Sequence, residues 1–425
     1  MNLFGFEARA LSRCAICIVA LAMLIVQSAR AAEPLTLDAA IERALADAPQ
    51  IEAAQASLES AQSMEIGASR LPDPEVVLGV DNLPVTGADS FSLTRDFMTM
   101  SKVGLMQSVP AGAKRRYRTA LAARETDVAQ AELRAARFET ASAAAEAWIA
   151  ASTVEQTLRR LRTLREDLGV QTKVSRAALS SGRGGAGDAL AGEFALARLD
   201  DEVLALEQQR TLRRADLARW LGEDASRELA DLPWNHEIAV PVEMLIENVA
   251  AHPPLAPLFA RIESAKTSVD LAKAERRPDW SAELSFAKRG PDYSDMVSLE
   301  FRVGLPLFAK YRQNPVIAAK LATLRSEEAQ QEAALRMHRA EITSMAATWR
   351  DGRSRLEHFD STLLPLARDR SRAVLIAFGA GRGDLQAALD ALREEAELQR
   401  DFVALEGDVT RAWVFLHLLH SGGTP

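Results

Sequence analysis

The chain repeats itself, and that duplication limits its possible folds more than any other feature. Pro110-Ala111-Gly112-Ala113-Lys114, followed by a basic cluster, returns 196 residues later as Pro306-Leu307-Phe308-Ala309-Lys310 with Tyr311-Arg312 behind it. The same offset lays Gly187-Asp188 on Gly383-Asp384, each after a glycine-rich patch: Gly182, Gly184 and Gly185 in the first, Gly379 and Gly381 in the second. Ala48-Pro49 with His252-Pro253, Arg70-Leu71-Pro72-Asp73 with Arg276-Arg277-Pro278-Asp279, and Trp148 with Trp349 fall at similar offsets and in the same order. Self-similarity of this kind is read before any local pattern. Each unit reads as helix, strand, strand, long helix, glycine tip, helix. The first repeat is assigned to 32–222, a linker to 223–241, the second repeat to 242–420 and a tail to 421–425.

Composition makes the long helices. From about Lys114 to Leu179 there is no proline, and Ala, Glu, Arg and Leu dominate, the residues that lose least entropy in a helix. Such a helix would run to about 100 Å at 1.5 Å per residue. Leu158, Leu161, Leu164 and Leu168 form a packing stripe, with Arg159, Arg160, Arg162 and Arg165 on other faces. The matching second stretch, about Val316 to Phe378, is interrupted only by Pro365. The glycines from Gly182 end the first helix, and Asp188 is placed to cap the returning one. Two helices joined by a tight tip form an antiparallel hairpin longer than a compact domain needs.

Arg9 and Arg13 precede an apolar run from Cys14 to Val26, and Ala29-Arg30-Ala31 supplies a small-x-small cleavage pattern. Residues 1–31 therefore read as a secretory signal peptide, cleaved near Ala31. Both cysteines, Cys14 and Cys17, fall inside it, so the mature chain carries no thiol, disulfide or thiolate metal site. Formal charge is −8, and −10 without the leader, which argues against a nucleic-acid partner. Mean hydropathy is −0.08, and no apolar run after position 32 is long enough for a membrane helix, which needs about 18 residues or more.

A β-type membrane protein stays open, because its strands are short and only half apolar. Trp280-Ser281-Ala282-Glu283-Leu284-Ser285-Phe286 and Val297 through Leu305 alternate apolar with polar or small residues, one oily face and one wet. Val76, Leu78 and Val80, and Val103, Leu105 and Val109, give weaker versions in the first repeat. Phe91, Phe97, Trp280, Tyr293, Phe308 and Tyr311 cluster at strand ends, where barrels meet the lipid interface. Taken alone, the hairpins also fit a soluble sheet packed on helices. Four strands cannot close a barrel, and an open edge in lipid leaves unpaired backbone groups. Copies of the chain must close it; three would give twelve strands, a number the pattern itself does not set.

The order of elements, the duplicated tips and the segment Leu71-Pro72-Asp73-Pro74-Glu75-Val76-Val77-Leu78-Gly79-Val80-Asp81-Asn82 resemble the TolC-like outer-membrane efflux factors over about residues 35–420. Asp81-Asn82-Leu83-Pro84, and Met98-Thr99-Met100 through Gln107-Ser108-Val109-Pro110, are similar to the heavy-metal-efflux branch. The resemblance implies a mainly α fold with a membrane β-barrel portion. It further implies a homotrimer whose twelve-stranded outer-membrane barrel continues into a periplasmic helical tunnel. Such a duct passes substrates from an inner-membrane RND-type transporter, through a periplasmic adaptor (membrane fusion protein), to the exterior. The family's docking motif, a glycine followed by Asp at the hairpin tip, maps onto Gly182, Arg183, Gly187 and Asp188, and onto Gly379, Gly381, Arg382 and Asp384. Arg183 and Arg382 would pair with Asp188 or Asp384 of a neighbour and hold the entrance shut. Relatives often carry another acidic residue one turn beyond the tip Asp; here that position is Ala387, which puts an acidic ring in doubt.

No catalytic chemistry stands out. The histidines at 236, 252, 338, 358, 417 and 420 lack metalloprotease spacing, and the one pair sharing a helix face, His417 and His420, reads as surface. Both glycine clusters follow helices, so neither is a phosphate loop. No cofactor, metal site or enzyme activity is expected. Alternatives are a drug-efflux or type I secretion exit duct of the same fold, a periplasmic adaptor, and a soluble periplasmic coiled-coil scaffold. An adaptor should show a single hairpin flanked by lipoyl-like segments, and a scaffold leaves the alternating strands unused.

Overall fold

The computed structural model describes residues 33–182, 185–234 and 236–422. The expected leader, the tip residue Arg183 and the end of the tail lie outside the described residues. In chain order the elements are α1 (Leu37–Asp47), α2 (Pro49–Ala68), β1 (Glu75–Asp81), β2 (Met100–Val109), α3 (Gly112–Ser180), α4 (Ala186–Leu221), α5 (Val242–Glu247), α6 (Ala256–Ala274), β3 (Trp280–Lys288), β4 (Met296–Val303), α7 (Gln313–His358), α8 (Leu364–Gly379) and α9 (Leu385–Ser421). The α3 helix runs 69 residues without a break, as its proline-free, Ala-rich sequence requires. Pro365 does not break the second long helix. Proline lacks an N–H and clashes with the carbonyl four residues back, and one wide π turn, Phe359–Leu363, takes up that misfit between α7 and α8. The strand expected to reach Leu305 stops at Val303, and α7 begins at Gln313, three residues earlier than its composition suggests.

The described chain forms two compact units, and each takes segments from both repeats. The first contains residues up to Ala40, Glu146–Pro233 and Phe359–Gly407. Its core is the anticipated leucine stripe: Leu158, Leu161, Leu164 and Leu168 of α3 pack with Leu199 and Val203 of α4 and Leu392 and Ala396 of α9. Trp148, fully buried, donates its indole N–H to the Leu35 carbonyl at 3.0 Å, and Leu35 bridges to Leu229 as a short parallel pair. Arg214 joins α4 to α3 and to the following loop. Its guanidinium binds both oxygens of Glu155, at 2.5 and 2.7 Å, and the carbonyls of Ala225 and Arg227. The helices approach closely at Gly407, where a Cβ would lie 2.7 Å from the Thr153 Oγ1.

The second unit contains Ile41–Ala145, Trp234–His358 and the chain from Asp408. It holds a single four-stranded antiparallel sheet in the order β1-β2-β3-β4, two hairpins joined where β2 of the first repeat meets β3 of the second. Two tryptophan indoles tie the linker to the helices: Trp349 donates to the His236 carbonyl at 3.3 Å and Trp413 to the Glu237 carbonyl at 3.0 Å. Among the described residues no helix is long and apolar enough to cross a membrane.

Candidate functional site: sheet faces and hairpin ends

Side chains alternate across a strand, so the pairing register decides what each face of the sheet becomes. In β3 and β4, Trp280 lies opposite Val303, Ala282 opposite Phe301, Leu284 opposite Leu299 and Phe286 opposite Val297. Across β2 and β1 the same face continues through Val103 and Leu105 to Leu78 and Val76. These large apolar side chains are exposed, Leu78 at 75% and Val297 at 71%. A contiguous oily surface of this kind calls for lipid or a partner. The six aromatics expected at strand ends are exposed as well.

The opposite face carries Glu75, Asp81, Lys102, Ser281, Glu283, Ser285, Ser298, Glu300 and Arg302. Glu283 is only 2% exposed, and it is held by Lys102 at 3.3 Å and Arg302 at 2.8 Å; Lys102 also reaches Asp81 and Arg302 reaches Glu300. Sequence alternation set Glu283, Glu300 and Arg302 on the wet face of their strands, but did not show that Lys102 and Asp81 of the first repeat join them in one ionic network. A sheet with one oily face and one charged face can separate lipid from water. Both of its outer strands are open: every residue of β4 is exposed, and β1 pairs on one side only.

Both hairpin tips lie in the first unit. Gly182 and Gly381 each have φ of +70°, the left-handed conformation that ends a helix and that side chains resist. At the second tip the Gly381 amide donates to the Phe378 carbonyl at 2.9 Å and the Arg382 amide to the Ala377 carbonyl at 3.0 Å, a Schellman closure. The first tip repeats the inner bond, Gly182 to Leu179 at 3.0 Å. Gly379 is the last residue of α8, and Asp384 caps α9 by accepting from the Ala387 amide at 3.1 Å. Asp188 behaves differently from the expectation. The N-cap of α4 is Gly185, and Asp188 sits inside the first turn, where its charge favours the positive helix end. Matching the two left-handed glycines sets Gly182 on Gly381 and Gly185 on Asp384, so Asp188 corresponds to Ala387 and the sequence offset is wrong here by three residues. Gly187, Asp188, Arg382 and Asp384 are exposed, and none of the three charged residues forms an ion pair among the described residues.

Elsewhere, titratable groups sit where sequence spacing does not show them. His252 Nδ1 lies 3.1 Å from His338 Nε2, both rings are buried, and His338 Nδ1 lies 3.0 Å from Glu341. Burial, with His338 beside it, pushes His252 down to about 4. His417 stacks on Trp413 instead of standing free with His420. Glu406 of α9 is buried, with one oxygen lacking a hydrogen bond and 3.9 Å from Arg160, whose guanidinium lies over the Phe402 ring. Burial pushes its carboxyl up to about 7; Arg160 opposes this, while Asp231 and Asp360 add to it. Among the described residues no group of three or more His, Cys, Asp or Glu could hold a metal ion.

No family model matches the chain. It is 24% identical over 394 residues to the cobalt-zinc-cadmium resistance protein CzcC of Cupriavidus metallidurans, covering 90% of this chain and 89% of CzcC. Its fold matches the outer membrane protein VceC of Vibrio cholerae with a TM-score of 0.76 at 20% identity, over 91% of this chain and 96% of VceC. The Campylobacter jejuni CmeC outer membrane channel superposes with a TM-score of 0.77 at 12% identity, over 91% of this chain and 86% of CmeC.

Proposed function

From the premise that the chain has the fold of the TolC-like outer-membrane channels, we propose that it is the exit duct of a tripartite efflux system. The observation that carries this reading is the sheet itself: an exposed apolar face, a charged opposite face and two open edges. In lipid such edges must be paired, and three copies closing head to tail would give a twelve-stranded barrel with the ionic face lining its water. The chain would then reside in the outer membrane of a Gram-negative cell, with its helices in the periplasm. The hairpin ends, with Gly182, Arg183, Gly187 and Asp188 at one and Gly379, Gly381, Arg382 and Asp384 at the other, would dock a periplasmic adaptor coupled to an inner-membrane RND-type pump. Exposed tips bearing unpaired charges support that assignment, since a surface ion pair there is worth only about 0–1 kcal/mol and exchanges readily. We assign divalent metal cations as cargo, on the strength of the likeness to a cobalt-zinc-cadmium resistance protein.

The test is to fractionate cells, extract the protein in mild detergent, and measure its mass and its single-channel conductance in a planar bilayer. An outer-membrane trimer that conducts, together with loss of cobalt, zinc and cadmium tolerance on deletion, is expected. A monomer soluble in the periplasm would refute the duct.

A further inference from the structure

The two repeats meet inside the chain, and their joint is a template for how two copies meet. Moving β1 forward by 206 residues gives β3, and moving β2 forward by 196 gives β4; the pair Glu75–Met106 then becomes Ser281–Arg302, itself an observed pair. The hairpins are thus equivalent residue by residue. Between them, β2 runs antiparallel to β3 with Val109 opposite Trp280 and Leu105 opposite Leu284. At the base of this joint Lys114, buried, puts Nζ 2.9 Å from Asp279 Oδ2, and the Ala111 amide donates to Asp279 Oδ1 at 2.8 Å.

On the outer side of each hairpin the same groups stand unmet. Asp73, the counterpart of Asp279, is exposed and has no partner among the described residues. Lys310, the counterpart of Lys114, is exposed, lies over the ring of Tyr311 and has no ion pair among the described residues. Leu305 and Leu307 are 67% and 76% exposed, whereas their counterparts Val109 and Ala111 are half-buried by the internal joint. One half of an interface is therefore carried at each end of the sheet.

We propose that a second copy of this chain completes it in the register of the internal joint. In that register Val303, Phe301 and Leu299 of β4 lie opposite the partner subunit's Val76, the partner subunit's Leu78 and the partner subunit's Val80, and Lys310 closes on Asp73 of the partner subunit. Each strand pair joins oily face to oily face; a slip of one residue would set Phe301 against the charged face. The contact is head to tail, so repeating it closes a ring or runs on as a filament. It rests on the outer-membrane reading above and adds to it the register and the anchoring ion pair.

The native cysteines, Cys14 and Cys17, both precede the described chain, which suits disulfide mapping. The double variant Leu78→Cys with Phe301→Cys, oxidised in isolated outer membranes, should give covalent multimers on a non-reducing gel. Phe301→Cys with Val76→Cys or Val80→Cys, displaced by two residues, should link about tenfold less, because disulfides need Cα atoms within about 7 Å. Either single variant should give no dimer. Better linking by a displaced pair would overturn the register while leaving the trimer standing. Dimers from Phe301→Cys alone would mean that β4 pairs with β4, and would overturn the head-to-tail joint. If no pair links, the seam is wrong, and the mass in detergent says whether the oligomer fails with it. Asp73→Lys should lower the temperature at which the oligomer dissociates in detergent, and adding Lys310→Asp should restore it; no restoration would remove the ion pair from the proposal.

Discussion

Lysine substitution at Leu299, compared with its neighbour Ser298, tests the face assignment directly. The four apolar rows from Trp280–Val303 to Phe286–Val297 are spaced about 7 Å apart along the strands and span about 20 Å, inside the ~25 Å oily band of a barrel. Leu299, opposite Leu284, is an inner row of the four, so a lysine ammonium there starts about 7 Å from the nearer rim. At such depth a lipid-facing Lys costs about 2–4 kcal/mol, roughly 30- to 900-fold in the folding equilibrium. Ser298 lies on the ionic face, and Ser298→Lys should cost about nothing on the same scale. Urea titration of the protein refolded into lipid vesicles, followed by tryptophan fluorescence, reads both. On a water-exposed sheet Leu299→Lys would be tolerated within about 0.5 kcal/mol. Equal stability of the two variants, or a greater loss with Ser298→Lys, would therefore refute the membrane face.

At the hairpin tip, Gly381→Val forces a β-branched side chain into a φ of +70°, which should cost about 1–2 kcal/mol and speed amide exchange over residues 377–382, whereas Gly187→Val, on open helix, should not. A trimer that still assembles but no longer supports efflux would place the defect at the tip, and loss of the trimer would make the tip structural only. Glu406 binds its proton more tightly folded than unfolded, so its contribution is complete below about 4.5 and is lost as pH rises through about 7. Glu406→Gln should remove that loss, worth about 3 kcal/mol, raising the melting temperature at pH 8 and leaving it unchanged at pH 4.5; equal gains at both would refute the buried carboxylate as the cause. His252 works in the opposite sense, its stabilising effect being full above about 6.5 and lost as pH falls through about 4, and His252→Phe should flatten that acid limb of the melting curve. Arg214→Lys cannot reproduce the fork that holds Glu155 and two carbonyls, and should destabilise by about 3 kcal/mol in thermal melts.

Local periodicity carried much of this protein. Proline-free, Ala-rich composition made α3, the spacing of Leu158, Leu161, Leu164 and Leu168 marked a core face before any partner was known, and period-two alternation separated the two sides of β3 and β4. Those properties follow from backbone geometry, which a sequence repeats at fixed intervals. Tertiary structure decided what stands against each face. That β2 pairs with β3, that Lys114 meets Asp279 165 residues away, and that His252 meets His338 86 residues away depend on how separate elements pack, on which no interval in the sequence bears. The tips show the boundary clearly. Glycine clusters marked both turns, but the left-handed residue in each had to be seen before Asp384 proved to be the helix cap and Asp188 an ordinary first-turn charge, because which glycine takes positive φ is settled by the hydrogen bonds that close the turn.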